Sequence, residues 1–149
     1  MTTIQLPPDF REFLKSLNKH EAKYLMIGGY AVAYHGYPRA TADMDIWVST
    51  SPQNAKKIVA AVKEFGFDPP NLTSNLFTKE GQIVRMGNPP LRIEIFTSVS
   101  GLSFDECYSA RIVEPIAGIE VHFINLDHLK INKKATGRHK DYDDLENLP

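Results

Sequence analysis

Tyr24-Leu25-Met26-Ile27-Gly28-Gly29, followed after thirteen residues by Asp43-Met44-Asp45-Ile46-Trp47-Val48, is where the architecture of this chain is written. The apolar run 24–27 enters a glycine pair, the punctuation of a strand passing into a turn. Side chains alternate across a strand, so Asp43, Asp45 and Trp47 share one face of the second segment and Met44, Ile46 and Val48 the other. The apolar set packs inward and leaves both carboxylates at an accessible surface. Two acids this close repel each other unless a cation lies between them, and Mg²⁺ takes such oxygen ligands readily. Gly28 and Gly29, lacking Cβ atoms, let the backbone approach a ligand, and amides opening a helix carry partial positive charge suited to anions. Each half alone has a plain structural reading: D-x-D as a solvated strand edge or turn cap, Gly-Gly as a ligand-free turn. Together, in this order, they point to a triphosphate held beside metal-binding carboxylates.

Working outward, Phe10, Phe13, Leu14 and Leu17 recur at i, i+3, i+4 and i+7 and predict a helix over 8–19. A short helix is expected over 30–35, stopped by Gly36 and Pro38. Ser51-Pro52 is a cap followed by a first-turn proline, opening a helix that carries Ala55, Ile58, Val59, Val62 and Phe65 and closes at Gly66. Strands are expected over 76–78, 82–86 and 91–97, separated by the turn sequences Glu80-Gly81 and Gly87-Asn88-Pro89-Pro90. A short helix over 103–110 and strands over 111–114 and 119–124, joined through Pro115 to Gly118, come next. Asn125 caps a helix running to about 136, Gly137 ends it, and a last helix begins near 139. There are no repeats and no linker, so the expectation is one α/β (α+β) domain over 1–149: helices flanking a mixed β-sheet.

Composition sets the outer limits. Hydrophobic residues are 42% and charged residues 23% of the chain, the balance of a soluble globular protein. No apolar run approaches the ~20 residues of a membrane helix, and residues 1–8 lack the basic-then-apolar pattern of a signal peptide. With the lone Cys107, which excludes an internal disulfide, this predicts a cytoplasmic protein with no membrane partner. A net charge of −1 gives no global attraction to polyanions, so any such contact must come from a local basic cluster. The five histidines are scattered without ligand spacing, which argues against zinc.

A third carboxylate lies in Leu91-Arg92-Ile93-Glu94-Ile95-Phe96. Glu94 between two isoleucines requires pairing, a metal or an exposed face. If its strand neighbours Asp43–Val48, three acids converge and could hold two metals ~4 Å apart, with Glu94 also a candidate general base. Arg39 and Thr41 precede the carboxylate strand, and Arg39 is a candidate phosphate contact. Lys130, Lys134 and Arg138 recur at spacing four, a basic stripe that Gly137 interrupts. By composition they are a solvated face; beside a triphosphate they become candidates for neutralising it, with Asp141 orienting one of them. Trp47 faces the carboxylate side, where a packed core tryptophan is expected ahead of a base-stacking one.

The string Y-L-M-I-G-G-Y-A-V-A-Y-H-G-Y-P-R-A-T-A-D-M-D-I, with I-E-I later, resembles the nucleotidyltransferase superfamily built on a DNA polymerase beta-like catalytic core. Together with the terminal K-K-A-T-G-R-H-K-D-Y-D-D-L, it is similar to the branch containing abortive-infection nucleotidyltransferase toxins. The likeness spans roughly 24–145. It implies a minimal nucleotidyltransferase fold, Asp43, Asp45 and Glu94 as ligands of catalytic Mg²⁺ (or Mn²⁺), and Gly28-Gly29 as the triphosphate cradle. Arg39, Thr41, Lys130, Lys134, Arg138 and Asp141 complete the expected nucleotide site. Two departures stand out. Many members have serine after the first glycine where this chain has Gly29, and the third acid is commonly aspartate rather than Glu94.

The activity implied is transfer of a nucleoside monophosphate from an NTP such as ATP to a hydroxyl of tRNA or other RNA, protein or a small molecule. The toxin-like resemblance adds an antitoxin partner. The competing expectation is a catalytically silent nucleotide- or partner-binding module of the same fold. A D-x-D glycosyltransferase fits less well, because the chain is short and glycines precede the acids.

Overall fold

The computed structural model describes residues 4–87 and 90–149. Its centre is a pair of antiparallel strands, β1 (Tyr24–Ile27) and β2 (Asp43–Val48). Four more strands complete one mixed sheet: β3 (Ile83–Met86), β4 (Arg92–Phe96), β5 (Ile112–Ile116) and β6 (Ile119–Phe123), in the order β3-β4-β2-β1-β6-β5. β4 runs parallel to β2 and β6 parallel to β1, while the edge strands β3 and β5 are antiparallel to their neighbours. The helices are α1 (Pro8–Lys19), α2 (Gly28–Tyr34), α3 (Pro52–Phe65), α4 (Phe104–Ser109), α5 (Leu126–Thr136) and α6 (His139–Asn147). The expected architecture, a mixed sheet flanked by helices, is the one observed.

The apolar periodicities explain the core. Phe10, Phe13, Leu14 and Leu17 of α1 are buried, as are Ala55, Ile58, Ala61 and Val62 of α3. The two helices meet where the Phe13 and Phe65 rings pack edge to face and Ser16 donates to the Ala61 carbonyl. On β2 the alternation holds: Met44, Ile46 and Val48 are fully buried, while Asp43 and Asp45 are partly open. Trp47 shares the carboxylate face but is sealed by α4, with its ring edge to face on Phe104. It belongs to the packing that closes one end of that face. Ser51 and Asn125 cap α3 and α5 through Asn54 N–H and His128 N–H.

Three local expectations change. The strand expected over 76–78 is a 3₁₀ turn, Ser74–Phe77, because Phe77 is buried beside α3 and a tight turn delivers it there. The helix expected from Tyr30 already includes Gly28 and Gly29. β5 continues through Pro115, which an edge strand tolerates, and the reversal is made by Ala117 and Gly118, both at positive φ. The turn expected over 87–90 falls partly on Asn88 and Pro89, and the expected absence of a signal peptide rests partly on Met1–Thr3; these five positions lie outside the described residues. Among the described residues no helix is long and apolar enough to cross a membrane.

Candidate active site

Strand register aligns the chemistry in one row. Ile27, the residue before Gly28, is opposite Asp45 on β2; Asp45 is opposite Glu94 on β4; and Glu94 is opposite Arg85 on β3. Neighbouring strands lie about 4.8 Å apart, so the row runs roughly 14 Å from the glycine turn to the sheet edge. Above it opens a cleft of about 820 Å³, with Gly28, Gly29, Arg39 and Thr41 at one end and Arg85, Ile83 and Phe96 at the other. The C-terminal part of α5 and the segment after it form a wall that brings Lys133, Thr136, Arg138 and Lys140 to the same space.

The glycine turn is shaped by the carboxylate beneath it. Gly28 has φ +68°, and a Cβ there would sit 2.3 Å from Asp45 Oδ2. Any side chain would therefore be strained in backbone and collide with the carboxylate. At Gly29 a Cβ would come within 2.8 Å of the Thr41 side chain, whose hydroxyl donates to the Asp43 carbonyl. Asp45 and Thr41 thus occupy the space that side chains at positions 28 and 29 would need.

Asp45 is the electrostatic anomaly of the site. Its Oδ1 is buried without a hydrogen-bond partner. Burial, then the charges of Glu94 and Asp43, push its carboxyl up to about 6, against a weaker opposing pull from Lys140 and Lys133. A buried polar atom left unsatisfied costs about 1–3 kcal/mol, a cost that Trp47 Nε1 and His128 Nδ1 share among the described residues. The sign of the pH effect follows. The folded-state pKa lies above the unfolded one, so ionised Asp45 opposes folding at high pH, and this cost disappears as pH falls below the unfolded value. In EDTA, Asp45→Asn protein is expected to be more stable than wild type by roughly 2 kcal/mol at pH 8. The two should converge near pH 4, which urea titrations at both pH values would measure; a pH-independent difference would contradict the account.

The other two acids are engaged by arginines. Asp43 Oδ1 lies 3.4 Å from Arg92 Nε, and Glu94 Oε2 lies 3.0 Å from Arg85 Nε. Among the described residues no three carboxylates, imidazoles or thiols stand gathered as an assembled metal site. The expected convergence is therefore one of face and register, with Asp43 and Glu94 each turned on a guanidinium. The donor chemistry fits Mg²⁺: three oxygens-only ligands on adjacent strands, one with an orphaned oxygen.

The fold now has a counterpart. A Thermotoga maritima protein described as a "putative nucleotidyltransferase" superposes with a TM-score of 0.64, 91% of this chain being covered and 87% of that one, at 15% identity. The chain has that fold. No family model and no curated protein matches the sequence. The architecture expected from the resemblance, a mixed sheet flanked by helices, is thus one this chain shares with that protein, with the glycine turn, Asp45 and Glu94 aligned across the sheet.

Of the residues expected to bind nucleotide, Gly28, Gly29, Arg39, Thr41 and Arg138 line the cleft, and Lys130, Lys134 and Asp141 do not. The stripe expected at spacing four is corrected by one position. The inward face of α5 carries Leu129 and Lys133, so Lys130 and Lys134 point about 100° away from it. Lys130 instead reaches the main-chain carbonyl of Pro149. α5 ends at Gly137 in a left-handed cap, and Arg138 opens α6 rather than continuing the stripe.

Asp141 is fully buried and works from behind the cleft. It accepts from Thr136 Oγ1 at 2.6 Å, Arg138 Nε at 2.8 Å and Arg138 N–H at 3.0 Å. Of the three bases it is expected to orient, it contacts Arg138 and not Lys130 or Lys134, and it also lies 3.3 Å from Lys133. Lys133 also touches Asp144 at 3.0 Å, and Asp144 in turn grips Arg39 through two bonds of 2.7 and 2.9 Å. Sequence reasoning missed Lys133, Lys140, Asp144 and Arg85. Lys133 could have been found as the polar member of the stripe Leu126, Leu129, Lys133, and Asp144 by its spacing of three from Asp141. Arg85, on an exposed edge strand, gave no signal before its pairing register was known.

Proposed function

We propose that this chain is a nucleotidyltransferase that moves a nucleoside monophosphate from an NTP to an acceptor hydroxyl. The observation that carries the reading is the orphaned Asp45 oxygen at the centre of the register row, between the glycine turn and Glu94. Asp43, Asp45 and Glu94 would hold Mg²⁺, or Mn²⁺ in its place, which when bound neutralises charge on the α-phosphate and departing pyrophosphate. Gly28 and Gly29 offer backbone amides to the triphosphate at one end of the row. Arg39, Lys133, Arg138 and Lys140 supply positive charge along the adjoining wall. Glu94, on the opposite side of Asp45, receives the proton of the acceptor hydroxyl. The hydroxyl oxygen bonds to the α-phosphorus as the α–β bridging bond breaks, and pyrophosphate carries away the electron pair.

The acceptor class covers RNA, including tRNA, protein and small-molecule hydroxyls, and the resemblance to toxins extends the reading to a protein restrained by an antitoxin. The test is incubation with whole-cell extract, Mg²⁺ and each NTP labelled in turn at the α- or γ-phosphate. Label from the α-position alone is expected on a discrete acceptor. Metal-dependent NTP binding without any transferred label would favour the silent binding module instead.

A further inference from the structure

Three acids share one face, Asp45 opposite Glu94 in register and Asp43 two residues before Asp45 on the same strand, yet among the described residues their side chains do not gather as a metal site. Arginines face two of the three. Arg92 sits across from Asp43 and holds it at 3.4 Å, and Arg85 sits across from Glu94 and holds it at 3.0 Å. The two partners of the second pair differ in their freedom. The Glu94 side chain is only 12% exposed, so as a carboxylate it is better satisfied with a cation beside it than by water alone. The Arg85 side chain is 56% exposed, projects from an edge strand and lines the cleft, so it can leave without disturbing the core.

Resting on the nucleotidyl-transfer reading, we propose that Arg85 and the divalent cation compete for Glu94, so that Arg85 is a positioning residue that keeps the third carboxylate engaged until metal and nucleotide arrive. In the exchange each charge keeps a partner: Glu94 passes from guanidinium to metal, and the released guanidinium, already on the cleft wall, faces the incoming phosphates. With Glu94 and Asp43 paired to arginines, the repulsion among three carboxylates is lessened, although both acids still raise the pKa of Asp45. Metal occupancy is thereby coupled to the arrival of an anion that can take Arg85. Arg85 is the freer of the two arginines, 56% exposed on an edge strand against 40% for Arg92 on the interior strand β4.

The experiment is Mn²⁺ binding followed by electron paramagnetic resonance, without nucleotide, on wild-type, Arg85→Met, Glu94→Gln and Arg85→Met/Glu94→Gln proteins. Removing one exposed ion-pair partner is expected to lower the Mn²⁺ Kd about two- to fivefold in the Arg85→Met protein. In the Glu94→Gln background the same substitution is expected to change Kd by much less, because the contested carboxylate is gone. Equal tightening in both backgrounds would show that Arg85 acts only through its charge, and would overturn the competition. Unchanged or weaker binding in Arg85→Met protein, or no Mn²⁺ binding by any variant, would do the same. These outcomes are separable from the fate of the catalytic reading, which stands or falls on label transfer from NTP and not on metal binding alone.

Discussion

Asp43→Ala/Asp45→Ala protein is expected to lose label transfer from α-labelled NTP by roughly 10³-fold or more while keeping its fold. Loss of one preorganised electrostatic contact in an active site costs about 10²–10³-fold, and this variant removes two charges at the centre of the register row. Retention of the fold follows from placement. Asp43 and Asp45 lie on the open face of β2, whereas the packing that secures the strand comes from Met44, Ile46 and Val48, all fully buried. Asp45 is also a cost to the folded state, being buried, unsatisfied on one oxygen and repelled by its neighbours. The double variant should therefore unfold at no lower urea concentration than wild type. A dead protein that is also destabilised would be uninformative only if unfolding preceded the assay; circular dichroism at the assay temperature checks this. A folded double variant with wild-type transfer would end the catalytic reading.

The uneven legibility of this chain has a physical origin. Period-two alternation in Asp43–Val48 and Arg92–Phe96 is a local property, so the faces of Asp43, Asp45 and Glu94 could be assigned before their strands were known to pair. That Glu94 lies opposite Asp45 is a consequence of parallel pairing between strands far apart in the chain, and it was conditional until the register was seen. The glycine pair was legible as a turn, but its geometric necessity, a Cβ colliding with Asp45, is a tertiary fact. Around α5 the signal was present and misread. Counting basic residues at spacing four selected Lys130 and Lys134, whereas following the buried stripe from Leu129 leads to Lys133. Along α5 the burial pattern, and not the spacing of charge, identifies the inward lysine. Arg85 was beyond reach because an edge-strand arginine differs from any surface arginine only in what lies across from it.

Asp144→Ala is expected to destabilise the fold by about 3–5 kcal/mol near pH 7, the cost of removing one partner from a buried set of charges. The Lys133 side chain is 4% exposed and those of Asp141 and Asp144 are 0% and 1% exposed, so these three charges have almost no recourse to water. Removing Asp144 leaves Lys133 with Asp141 alone and strips Arg39 of both its bonds. The pH dependence supplies a second check. Although burial works to raise the Asp144 pKa, its bonds to Arg39 and Lys133 outweigh that and hold it below the ordinary carboxylate value. A depressed folded-state pKa contributes stability that is present above the unfolded value and lost as pH falls through the folded one. The gap between wild type and Asp144→Ala should therefore be full at pH 7 and shrink below about pH 4, as urea midpoints at several pH values would show. A gap under about 1 kcal/mol at pH 7, the range of an exposed ion pair, would mean that water reaches Lys133 and that the chain of charges is ornamental. The consequence for the cleft follows from connectivity. Asp144 fixes Arg39 and Asp141 fixes Arg138, with Lys133 joining the two carboxylates, so three of the cations that line the cleft, Arg39, Lys133 and Arg138, are linked through two buried acids. Asp144→Asn, which keeps the shape and removes the charge, should accordingly weaken triphosphate binding even in the folded fraction, a loss that repacking alone would not produce.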